Sequence, residues 1–178
     1  MFRVTASMAA VAAALTLAPS YAPAQDASGT ITGAYDADDA TWTVEASGTG
    51  EFPASGWVER EDGLQVTLVG VPGPAEMLRD GTLVMRFDLT GSPQELRVEA
   101  PSVNMVASGM EEQLIAQPEN IDLMVTALER NSDEIAIAGD LVATLTPGGT
   151  GELTIDSEDA VVIDGNFQAT LTRLDGDE

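Results

Sequence analysis

Of the side chains that most often carry enzymatic chemistry, this 178-residue sequence holds few, for it contains no histidine, no cysteine and no lysine. Ser-His-Asp and Cys-His nucleophile systems are therefore excluded. So are Schiff-base lysines and Ser-Lys pairs, and zinc, copper or haem sites built on imidazole or thiolate. No glycine-rich phosphate loop, dinucleotide fingerprint or lysine-bearing Walker motif is present. What remains is carboxylates, Tyr35 and arginine. Two carboxylates can hydrolyse a glycoside, one protonating the leaving oxygen while the other acts as nucleophile or base. With 30 Asp and Glu on the chain, some pair always lies at a suitable separation. Counting pairs therefore does not locate a site, and solvated surface acids account for most of them.

Two groupings are more specific. Asp36, Asp38 and Asp39 share one loop, and Asp156, Glu158 and Asp159 another. Either could offer oxygen ligands to Ca²⁺, a hard cation. Neither follows the EF-hand spacing, and aspartate also favours turns because its side chain bonds to its own backbone. The other grouping is aromatic: Tyr35, Trp42, Phe52 and Trp57 lie close together in a chain with few aromatics. Trp42 shares parity with Val44 and Ala46, which directs it inward. Trp57 follows Gly56 in an irregular Pro/Ser/Gly stretch and is freer to be exposed; it is the candidate ligand-binding residue, a ring on which a sugar could stack, with a place in the hydrophobic core as the alternative.

The elements that must position these residues read as strands. Apolar residues recur at every second position in Trp42–Ala46, Leu64–Leu68, Leu83–Leu89, Leu96–Ala100, Ile135–Leu145 and Val161–Leu171. That is the period of a sheet with one covered face. Turn formers punctuate the runs, among them Asp80-Gly81, Asn131-Ser132-Asp133 and Pro147-Gly148-Gly149. The expected fold is all-β: an antiparallel β-sandwich of about eight to ten short strands, with a partly open β-barrel as the alternative. One or two short helical connectors are expected, at Pro74–Arg79 and, after the capping box Ser108-Gly109-Met110-Glu111, at Glu112–Gln117 before Pro118. An internal echo relates Ile137–Thr146 to Ile163–Thr172, identical at six of ten positions. It reads either as a duplicated unit or as two strands meeting one packing demand.

Residues 1–24 read as a secretory signal peptide: Arg3, an apolar run from Val4 to Leu17, and Ala22-Pro23-Ala24 before a cleavage point at Gln25. Residues 25–178 then form a single acidic domain, periplasmic or secreted, of a size that needs no disulfide or metal to hold a core. Its 30 acids face six arginines, a balance of −24 from side chains. Such a surface repels nucleic acid and anionic membranes and favours a monomer, while leaving a protein or carbohydrate partner open. The leading expectation is a non-catalytic exported binding or structural domain without an obligatory cofactor. The alternatives are a carboxylate-only hydrolase acting on carbohydrate and a carrier of a small apolar ligand with a barrel-like interior. Because self-repulsion among these acids is screened by salt, the melting temperature should rise between low salt and about half-molar salt. An unchanged melting temperature in a calorimetric scan contradicts a charge-limited fold.

Overall fold

Alternation buries one face of most strands, β4 being covered on both over Val66–Gly70, and nine strands hydrogen-bond into one antiparallel sheet. The structure is a computed structural model that describes residues 27–48, 52–73, 81–92, 95–106, 113–148 and 160–174. The strands are β1 (Ala27–Tyr35), β2 (Asp38–Glu45), β3 (Gly56–Arg60), β4 (Gly63–Pro72), β5 (Thr82–Ser92), β6 (Glu95–Val106), β7 (Leu114–Arg130), β8 (Glu134–Pro147) and β9 (Val161–Thr172). Their order across the sheet is β2-β1-β9-β8-β7-β6-β5-β4-β3, and a further pairing of β2 with β4 brings the sheet round on itself. The all-β antiparallel architecture and the strand number are those expected. The strands are not uniformly short, since they run from 5 to 17 residues. The second helical connector, at Glu112–Gln117, requires correction. No helix occurs among the described residues, and Leu114–Gln117 open β7 instead. Pro74–Arg79 lies outside the described residues.

Ring closure rests on β4, which serves two partners along one edge. Gly63–Thr67 pair with β3, and Gly70–Pro72 pair with β2. Between those stretches the buried Ser55 side chain takes the place of a strand. Its Oγ accepts from Val69 N at 2.9 Å and donates to Val69 O at 3.5 Å. One hydroxyl thereby satisfies a buried backbone donor and acceptor that would otherwise cost about 1–3 kcal/mol each. At its far side β3 touches the end of β9, where Trp57 bridges Arg173 in parallel and Leu174 N donates to Trp57 O at 2.8 Å.

The inward residues meet in the middle as two facing walls. Phe87 of β5 and Phe167 of β9 stand 6.2 Å apart, ring centre to ring centre. Trp42, Leu68, Met85, Met105, Ile135 and Leu141 are among the fully buried side chains around them. Curling this tightly requires backbone to approach backbone on the inner face. Gly33 of β1 and Gly165 of β9 are paired there, and a Cβ on either would fall within 2.5 Å of the other strand's backbone. On β8, a Cβ at Gly139 would meet Met124 O at 2.2 Å and Phe167 Cζ at 2.5 Å. Glycine is the only residue that such a bend admits.

The echoed segments lie side by side as β8 and β9. Asp140 pairs directly with Asn166, its counterpart in the echo, so a local two-fold axis passes between them. Gly139 faces Phe167 and its counterpart Gly165 faces Leu141, the counterpart of Phe167. The repeat is thus a reciprocal arrangement in which each strand offers a glycine opposite its neighbour's large residue. Replacing Gly139 by valine should cost about 3 kcal/mol in urea unfolding. Ala138→Val, one residue away on the outer face, should change stability by less than roughly 1 kcal/mol. Equal effects would show that the close approach at Gly139 is not what limits the curl.

Candidate functional site

Trp57 is the residue that sequence singled out, and the structure places it inside rather than outside. It is fully buried and pairs with Val66 across β3–β4, so its ring points to the interior. The expected exposed platform is not formed, because the Gly56–Trp57 stretch is drawn into the sheet between β4 and the end of β9. Trp42 is buried as its parity implied, and its Nε1 donates to Gly81 O at 3.0 Å. Tyr35, also buried, meets Trp42 edge to face.

Three residues that sequence reasoning passed over complete the surroundings of Trp57. The Cζ atoms of Arg130 and Arg173 lie 4.9 and 5.4 Å from the centre of its ring, within reach of a cation–π attraction. Glu59 ties the two guanidiniums together, its Oε1 accepting from Arg130 Nη2 at 2.9 Å and its Oε2 from Arg173 Nη2 at 3.1 Å. Register explains why they converge. Glu59 lies opposite Leu64, Arg130 opposite Ile135, and Arg173 two residues beyond Leu171, so each continues an inward apolar row past its end. For Arg173 the signal was present in sequence, as a charge on the inward parity of Phe167, Ala169 and Leu171. The hydrogen bond from Arg130, then that residue's charge, holds the Glu59 carboxyl below the usual range; partial desolvation opposes this, and the Arg173 charge adds to it. The cluster is a clasp across one end of the ring, joining β3, β7 and the segment after β9. The buried Trp57 Nε1, by contrast, has no hydrogen-bond partner in the structure.

The loop with Asp36, Asp38 and Asp39 is the β1–β2 turn. Asp36 and Ala37 have φ of 51° and 68°, the left-handed pair of a type I′ hairpin. All three aspartates are exposed, and no group of three or more acids among the described residues is placed to hold a metal ion. Asp156, Glu158 and Asp159 lie outside the described residues. No described Asp or Glu is buried; Glu45 and Asp88 are the only half-buried ones.

A different feature stands out along β6 and β7. They pair only over Val103–Met105 with Leu114–Ala116 and then part. Beyond that point β6 from Glu95 to Ser102 and β7 from Gln117 to Arg130 have no described strand partner on the sides that face one another. Leu96 and Val98 of β6 and Val125 and Leu128 of β7 turn inward along this seam and remain half-buried. Nothing in the sequence reading located β7, because its inward parity changes twice. Four residues, 117–120, stand opposite a single residue of β8, and Thr126 is an extra residue between Val125 and Ala127.

The chain matches no family model, no curated protein and no solved structure. Two shallow concavities open on the outside of the ring. One, of about 490 Å³, is floored by small and polar residues such as Thr30, Ala136, Ala138 and Thr170. The other, of about 670 Å³, lies at the β7–β8 turn beside Arg173.

The clasp gives a pH dependence whose sign is fixed. A carboxyl held below its ordinary value of 4.5 contributes stability above that value and loses it as pH falls through the depressed one. Glu59→Gln should make tryptophan emission more accessible to acrylamide at neutral pH. The wild type should gain that accessibility only on acidification below about pH 4.5, and Glu59→Gln should show no such step. Unchanged quenching in the variant would mean that the arginines shield Trp57 without Glu59.

Proposed function

We propose that this chain is a non-catalytic exported domain that binds another protein at the seam between β6 and β7. The observation that carries the reading is the seam itself. Two stretches of strand edge without described partners flank a row of half-buried apolar side chains. Backbone N–H and C=O groups are obligatory hydrogen-bonding groups, and a strand edge is the place where a sheet accepts another chain.

The other functions weighed from sequence find less support. A carboxylate-only hydrolase needs an acid held protonated by a desolvating pocket. Every described acid is exposed or half-exposed, and the shifted one, Glu59, is shifted toward the ionised form. An apolar-ligand carrier needs interior space. Here the large side chains of Trp42, Trp57, Phe87 and Phe167 are all buried in the interior. Export rests on the leader-like residues 1–24, which lie outside the described structure.

A photo-crosslinking residue placed at Val98 or at Leu128 in the exported protein should give an adduct with another polypeptide. The same residue at Thr170, on the outer face of β9, should give none. Adducts of equal yield at all three positions, or at Thr170 alone, would remove the seam as the binding site.

A further inference from the structure

The seam restricts what can occupy it, and we infer that its occupant is a short, extended, cationic segment of another protein, added as a strand along the free edge of β7. The inference rests on the binding-domain reading above and specifies its partner.

Three features of β7 and its neighbour point this way. First, the edge offers main-chain groups, and a peptide that adds a strand draws its affinity from main-chain hydrogen bonds. Second, the side chains alternate in the way a new neighbour would read. Leu123 and Val125 point inward, with Val98 across the seam, while Asp122 and Met124 point outward, Met124 with 56% of its surface exposed. Cross-strand neighbours on each face set the preference of an added strand. Apolar residues on its inner face would meet Leu123, Val125 and Val98. Lysine or arginine on its outer face would meet Asp122. Third, charge is uncompensated along both edges. Glu99, Glu119, Asp122 and Glu129 are exposed and take part in none of the described ion pairs, which join Arg97 to Glu95 and Arg130 and Arg173 to Glu59. The whole chain carries a formal charge of −23, which draws a cationic segment and opposes a second copy of the same chain.

The length of the added strand is set by the irregularities that bound the edge. The 117–120 excursion containing Pro118 lies at one side and the extra residue Thr126 at the other, leaving Ile121–Val125 as the regular stretch. Across the seam, β6 is interrupted at Ala100, which has φ 46° and precedes Pro101. Five residues of strand span about 17 Å. An occupant of five to seven residues fits, and a long intermolecular sheet does not, because prolines and bulges stop its growth.

The experiment uses the full exported chain and three synthetic nine-residue peptides. The first alternates lysine with valine. The second replaces each lysine by glutamate, and the third keeps the lysines but has proline at its central position. Hydrogen exchange of β7 amides and the dissociation constant are read for each. The lysine peptide should slow exchange within 121–125, and its affinity should fall with added salt. The glutamate and proline peptides should each bind at least roughly tenfold more weakly, as should the lysine peptide to Asp122→Lys. Equal binding of the lysine and proline peptides would reduce the interaction to non-specific charge attraction and overturn the inference. So would protection, in the unbound monomer, of those amides within 121–125 that point away from β8, or their protection only as the chain dimerises. If crosslinks at Val98 and Leu128 persist while no peptide protects β7, the strand mode fails and the binding-domain reading survives. If those crosslinks are also absent, both fall.

Discussion

The close approach of backbone to backbone on the inner face, at Gly33, Gly165 and Gly139, is the constraint on which the remainder of the structure depends. A nine-stranded sheet with ordinary twist stays open, and its apolar face then needs another layer to cover it. Here β1, β9 and β8 bend where they lack inward Cβ atoms, and β5 is brought over β9 so that Phe87 meets Phe167. The sheet supplies its own second layer. Everything else follows from having to join the ends of that curl: β4 divides its edge between β2 and β3, and the Ser55 hydroxyl bridges the gap between them.

Charge is organised by the same geometry. With one sign of charge in such excess, the domain is held together against its own surface potential. Two of its few arginines are spent at one place, on the inward rows at one end, where they share Glu59 and lie against the Trp57 ring. The three side chains are each roughly half exposed, so the ion pairs themselves contribute little in water. Their worth lies in covering an indole that has no hydrogen-bond partner of its own and in tying β7 to β3 and the segment after β9 across the ring end.

How much of this was legible depended on how strongly each strand contrasts its two faces. β5, β8 and β9 alternate large apolar with polar residues and were readable directly. β1 was not, because Ser28, Gly29, Thr30 and Gly33 give little contrast and only Ile31 and Tyr35 mark the inner face. β3 is five residues in a Pro/Ser/Gly setting, and its pairing to β4 rather than its own pattern decides that Trp57 turns inward. β7 defeated the reading twice. Its opening residues followed a capping-box pattern, yet Leu114 is held by Met105 and Pro147, and Ala116 by Val103 and Leu145, as strand, an instance of tertiary pairing overriding local preference. Its later part lost period because of the excursion at 117–120. The echo between β8 and β9 was visible, but not its cause, since only the register shows that Asp140 and Asn166 are opposite one another. Of the clasp, parity marks only Arg173, which continues the inward row of β9; Glu59 and Arg130 lie on β3 and β7, whose inward faces only the register shows.

The seam follows from β7 itself. To pair with β8 over nearly its whole length, β7 must take up extra residues at 117–120 and at Thr126, and each bulge bends and twists the strand that carries it. β6, kinked at Ala100-Pro101 opposite Phe87, cannot follow the same path. The two strands that remain paired at Met105–Leu114 therefore must separate further along, and no rearrangement of side chains would reunite them without breaking the β7–β8 ladder. Among the described residues the seam thus follows from the curl rather than from loose packing. Its backbone groups are directed sideways, its inward residues are half covered, and acids stand along both rims. A natural sheet that had only to stay soluble would cover such an edge or place lysine on it. This one has acids on the described rims and no lysine anywhere, so like charge meets like where two copies approach edge to edge.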